Sequence, residues 1–115
     1  NRVLGAPCIV SKQHLQNGMA RAVICNSGIA NTCAADGIEK AGAMCDLTAQ
    51  ALGLDAQDVL VSSTGVIGPS IDITPIAAAM NELTSRTRRP SRGSCAGEGA
   101  SVIGYRLYHM GCQRD

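Results

Sequence analysis

The chain has 115 residues, 45% of them hydrophobic, and a net charge of +1. This is enough apolar material for one domain with a single core, and 13 glycines are too few for a fibrous or disordered class. The longest unbroken apolar run, Ile76 to Met80, falls far short of the roughly 18 residues of a membrane span, and the Asn1-Arg2-Val3 start lacks a basic-then-apolar signal pattern, so a soluble chain without a targeting segment is expected.

In chain order, Ala6-Pro7-Cys8-Ile9-Val10 reads as a strand. Ser11 then caps a short helix through His14 and Leu15 that Asn17-Gly18 stops. Ala20 to Cys25 is a mainly apolar run closed by Asn26-Ser27-Gly28, the punctuation of a buried strand entering a tight turn. Asp36 and Glu39 have capping-box spacing, after which Ile38, Ala41, Cys45, Thr48 and Leu52 recur with helical period until Gly53 supplies a stop. Asp58 to Ser63 reads as another short buried strand, broken by Gly65 and Gly68. Thr74 caps a helix opened by Pro75, with Ile76, Ala79, Met80 and Leu83 on one face. Alternating strands and helices predict an α/β fold in which helices cover a sheet.

The periodicity stops after Leu83. Residues 85 to 115 are expected to be irregular, with Val102 to Tyr108 at best one isolated strand. Charge divides at the same point: residues 1 to 84 hold four basic side chains against seven acidic ones, a net −3, and residues 85 to 115 hold six against two, a net +4. Arg86, Arg88, Arg89 and Arg92 raise the possibility of an RNA-binding or interaction module, but one short cluster without interleaved aromatics is the pattern of a solvated linker. Cys8, Cys25, Cys33 and Cys45 sit among Ala, Ile, Val and Met, which favours reduced thiols that pack as small hydrophobes and hence a cytosolic or organellar-matrix location. His109 and Cys112 are one close pair of metal-ligand types with no second pair, so no metal site is expected.

Val61-Ser62-Ser63-Thr64-Gly65-Val66-Ile67-Gly68 is the most informative local feature. A Thr hydroxyl and a neighbouring backbone N–H can converge on one oxygen, as acyl transfer requires where negative charge develops on a tetrahedral carbon. The same residues also suit an ordinary strand-to-loop turn. The side-chain amides of Asn26-Ser27-Gly28-Ile29-Ala30-Asn31 could bind substrate or stabilise a neighbouring loop, but the stretch reads better as an Asx-type turn that satisfies its own backbone, and His14 as a solvated side chain on a surface helix. Neither a nucleophile elbow nor a phosphate-binding glycine motif is present.

Taken together and in this order, Asn1-Arg2-Val3, Ala6-Pro7, Ala20 through Gly28 with Ala30-Asn31, the helix from Asp36 to Leu52, and Ser63 through Gly68 resemble the N-terminal, alpha-chain portion of the ornithine acetyltransferases, which are glutamate N-acetyltransferases. The resemblance covers residues 1 to 84 and implies part of an αββα-type fold in an enzyme whose precursor cleaves itself before an internal Thr. That Thr takes an acetyl group from N-acetylornithine and passes it to glutamate, without a cofactor. On this resemblance Thr64 (side chain) and Gly65 (backbone N–H) form the oxyanion hole, and the partners are the two amino-acid substrates and a beta subunit, with no membrane or nucleic acid. Two departures stand out. Ile29 replaces the middle Asn of the family's N-S-G-N-A-N loop, and the Thr-Thr-Asp and Ala-Thr-Met-Leu stretches that lead to and carry the nucleophile are missing. The resemblance therefore implies a segment inactive by itself, with residues 85 to 115 a divergent or frameshifted Arg/Gly-rich tail.

Overall fold

A computed structural model of the chain describes residues 2–86, 98–102 and 105–109, the last two segments by their backbone. The first element is a helix, α1 (Ala6–His14), where a strand was expected over Ala6 to Val10. Pro7 explains the difference. It stands in the first turn, where its missing N–H costs nothing and its fixed φ is already helical. Ser11 therefore lies inside the helix rather than at its cap.

Strand β1 (Ala22–Ile29) runs in parallel to β2 (Val59–Val66), and α2 (Gly37–Leu52) connects them. α2 begins and ends where the pattern predicts: Asp36 precedes it, and Gly53 follows in the left-handed conformation at φ 67°. Asp36 does not close a capping box, however. Its Oδ2 accepts from the Ser70 hydroxyl at 2.6 Å, and no side-chain bond caps the helix. α3 (Thr74–Arg86) is opened by Asp72, whose Oδ1 accepts the Thr74 N–H at 2.9 Å, so the cap lies two residues before the Thr expected to supply it.

The stretch expected to be irregular, with at best one isolated strand over Val102 to Tyr108, contributes two strands, neither of them isolated. β3 (Glu98–Val102) and β4 (Tyr105–His109) pair antiparallel with each other, and β4 pairs antiparallel with β1, giving the sheet order β2-β1-β4-β3. The reason is non-local: one side of β1 bonds β2, and β4 takes up the backbone groups on the other side. A strand such as Glu98-Gly99-Ala100-Ser101-Val102 has only Ala100 and Val102 in alternation, too little to announce it.

The core lies between the sheet and its helices. Ile24 and Val59 from the strands, Met44 and Cys45 from α2, and Ile76 and Leu83 from α3 are fully buried. Cys45 behaves as a core hydrophobe: burial, reinforced by Asp46, pushes its thiol up to about 12, which leaves it unreactive. Cys8 and Cys33 differ from the expectation of packed thiols and lie exposed.

β2 lies at one edge of the sheet, and α1 covers that edge. The Ser11 hydroxyl donates to the Val61 carbonyl at 2.9 Å and accepts the Val61 N–H at 3.1 Å, replacing the ladder bonds of an absent neighbour. His14 is buried, not solvated as expected, and its Nδ1–H donates to the Val59 carbonyl at 2.7 Å. These bonds hold the start of β2 in place.

Candidate functional site

The parallel register lays the two polar motifs side by side. Asn26 lies opposite Ser63, Ser27 opposite Thr64, and Gly28 opposite Gly65. Both motifs are at the carboxyl ends of parallel strands, the end at which α/β sheets present their ligand sites. β1 continues through Asn26-Ser27-Gly28 to Ile29, so the tight turn expected there is instead the last part of a strand.

Thr64 and Ser63 differ in environment, as successive strand residues do. Ser63 is half-buried, with its Oγ sealed from solvent and without a partner, whereas Thr64 is exposed. Thr64 is therefore the hydroxyl available to an incoming group. Gly65 follows at φ +133°, a conformation that favours glycine. A Cβ on Gly65 would stand 2.3 Å from the carbonyl carbon and oxygen of Gly28 and 2.8 Å from the Ile29 nitrogen. Gly28 has φ +109° and open space where its own Cβ would be. The two glycines thus form a close backbone-to-backbone contact that a side chain at 65 would destroy.

The strand ends are tied down beyond the glycines. The Ala30 N–H donates to the Val66 carbonyl at 2.9 Å, and the Gly68 N–H to the Thr32 carbonyl at 3.0 Å. Val66 and Ile67 remain exposed beside Thr64. Asn26 is buried, and its Nδ2 donates to the Ile29 carbonyl at 3.0 Å. The Asx-turn reading anticipated that the side chain would bond its own backbone, but not that it would do so from within a buried strand.

A cavity of about 170 Å³ opens next to this place, walled by Asn26 to Ile29, Ile71, Asp72 and Pro75. A larger hollow of about 320 Å³ lies among Val3, Leu4, Ile9, Cys33 and Ile38, and neither polar motif lines it. The bonds from the Thr74 N–H and side chain hold the Asp72 carboxyl below the usual carboxylate range, an effect that burial opposes slightly and Lys40 assists. With its folded-state value lowered, Asp72 stabilises the start of α3 above the unfolded carboxylate range and ceases to do so as pH falls through its folded value. Asp72→Asn, which keeps an acceptor but not the charge, should lower the melting temperature at neutral pH and match the parent chain in acid. A difference that persists in acid would rule out the charge as its source.

Arg86 is the last residue of α3, where it pairs with Glu82 at 3.2 Å. Arg88, Arg89, Arg92 and Cys112 lie outside the described residues. Among the described residues there is no group of three metal-ligand side chains, and no helix is long and apolar enough to cross a membrane.

Comparison with known proteins gives one family. Residues 1–102 match the ArgJ family, a match that runs past Ser85. The chain is 48% identical over 86 residues to the arginine biosynthesis bifunctional protein ArgJ of Chlorobaculum tepidum, covering 72% of this chain and 21% of the relative. With the protein of the same name from Rhodopirellula baltica, identity is 37% over 81 residues, covering 70% and 20%. The chain thus spans about a fifth of the length of the curated relatives it matches. The crystal structure of Bacillus halodurans ArgJ superimposes with a TM-score of 0.68 at 33% identity, over 71% of this chain and 44% of that one. Mycobacterium tuberculosis ornithine acetyltransferase, solved with ornithine, shares the fold with a TM-score of 0.73 at 24% identity, over 96% and 68%. These matches establish the α/β class, and with the family match extending over most of its residues, the chain belongs to the ArgJ family.

Proposed function

We propose that this chain is the oxyanion-hole segment of an enzyme that moves an acetyl group from N-acetylornithine to glutamate in arginine biosynthesis. The observation that carries the reading is the exposed Thr64 next to Gly65, whose conformation and contact with Gly28 permit only glycine. The Thr64 hydroxyl and the Gly65 N–H donate to the oxygen that becomes negative when the acetyl carbon turns tetrahedral. Donors fixed in advance favour that state over the planar carbonyl. The relatives' names place them in arginine biosynthesis, and ornithine is bound by the mycobacterial enzyme of the same fold.

Covalent transfer also needs an activated nucleophile, and no motif in this sequence pairs a hydroxyl or thiol with a base. In this reading the nucleophilic Thr and the residues that bind substrate come from the remainder of the enzyme, the beta subunit included. The test has two arms. The 115-residue chain alone, given N-acetylornithine and glutamate, should form no N-acetylglutamate. A chimaera in which this segment replaces the matching 86 residues of the Chlorobaculum tepidum relative should transfer acetyl. A folded but inactive chimaera would count against the proposal, as would turnover by the purified segment.

A further inference from the structure

We infer that Asn26 is a positioning residue for the Gly65 N–H, acting through Gly28; the inference rests on the oxyanion-hole reading of Thr64 and Gly65. Asn26 lies on the core-facing side of β1, in line with Ala22 and Ile24, both 0% exposed. At 4% exposure it is nearly as buried, and an aliphatic side chain there would leave no polar atom to satisfy. What the carboxamide adds is one bond, from Nδ2 to the Ile29 carbonyl at 3.0 Å, while its Oδ1 has no partner. The Ser63 Oγ, opposite Asn26 in the ladder, is buried and unpartnered too, so that hydroxyl does not anchor the amide.

The Nδ2 bond reaches three residues ahead and closes a ring around Ser27 and Gly28. Gly28 departs from the extended conformation inside this ring, at φ +109°. Its carbonyl group is the one that lies 2.3 Å from the place a Gly65 Cβ would occupy. The order of constraint is therefore Asn26 amide, Ile29 carbonyl, Gly28 peptide, Gly65 backbone. If the Ile29 carbonyl is released, Gly28 can relax toward an extended strand, and the surface against which Gly65 is seated moves with it. The Gly65 N–H then loses its aim, although the core beneath is unchanged.

The test uses two variants. Asn26→Leu removes the bond while keeping the number and branching of the side-chain heavy atoms, and Gly28→Ala disturbs the same ring from a position with open space around its Cβ. In amide-resolved NMR spectra of the 115-residue chain, both should shift the Gly65 resonance while those of Met44 and Leu83 stay in place. In the chimaera, Asn26→Leu should lower kcat about tenfold or more, as a small displacement of a catalytic group does, with KM within about twofold. A Gly65 resonance unmoved in folded Asn26→Leu overturns the inference, and if that variant does not fold, Asn26→Ala, which removes the same bond without adding bulk, decides in its place. An unchanged kcat in Asn26→Leu where Thr64→Ala is impaired overturns it as well. If the resonance moves but neither Asn26→Leu nor Thr64→Ala affects kcat, the oxyanion-hole reading fails, and with it the catalytic part of this inference.

Discussion

Gly65→Ala is expected to destabilise the chain well beyond Gly28→Ala, the other glycine-to-alanine change in the β1–β2 pair, through two separable costs. The first is conformational: an L side chain at φ +133° is held in a sparsely populated region, at about 1–3 kcal/mol. The second is steric. The new Cβ would lie 2.3 Å from the Gly28 carbonyl group and 2.8 Å from the Ile29 nitrogen. These are backbone atoms in a paired strand, so they cannot rotate aside, and overpacking of this kind adds about 1–3 kcal/mol. The sum is a large share of the 5–15 kcal/mol that holds an ordinary domain together. Gly28→Ala is the control, because φ +109° imposes the first cost there while nothing lies within 4 Å to impose the second. Urea denaturation should give a Gly65→Ala midpoint well below that of Gly28→Ala. Equal midpoints would show that the strands part freely and that the contact between the glycines does not constrain the site.

The same two glycines show how far the sequence could be read. Helices α2 and α3 were legible because their signals are local: Gly53 stops one, and Ile76, Met80 and Leu83 mark the buried face of the other. Pro7 lay in an apolar run too short to separate strand from helix, and its place in a first helical turn decided the matter. His14 was misread because burial depends on what packs above a residue, here the edge of β2. The strand expected over Val102 to Tyr108 overlaps β4, but that it is not isolated was not legible for a related reason, since its pairing with β1 joins segments distant in the chain. In the candidate site, the residue types of Thr64 and Gly65 suit an ordinary turn as well as an oxyanion hole, and it was the family resemblance that pointed to them, while Asn26, Ser27 and Gly28 are favoured in turns and read as one. Only the parallel register sets Gly28 against Gly65 and turns a suspected loop into the other wall of the site.

Thr64→Ala in the chimaera should lower kcat for acetyl transfer by about 10²-fold. Thr64 is exposed, so its removal opens no cavity, and the strand should fold with an unaltered melting curve. A hydroxyl that acts on the developing oxyanion contributes little to ground-state binding, and so kcat and kcat/KM should fall together while KM holds. Ser63→Ala is the control adjacent in sequence. Its hydroxyl is buried and unpartnered, so removing it relieves a desolvated group and should leave folding unchanged or slightly improved, with turnover intact. The two substitutions remove similar atoms from successive positions of one strand, one exposed and one sealed, and a defect confined to Thr64→Ala would be chemical rather than structural. Equal losses of turnover in the two variants would instead mean that the strand end needs its hydroxyls for shape alone, and Thr64 would lose its assigned role.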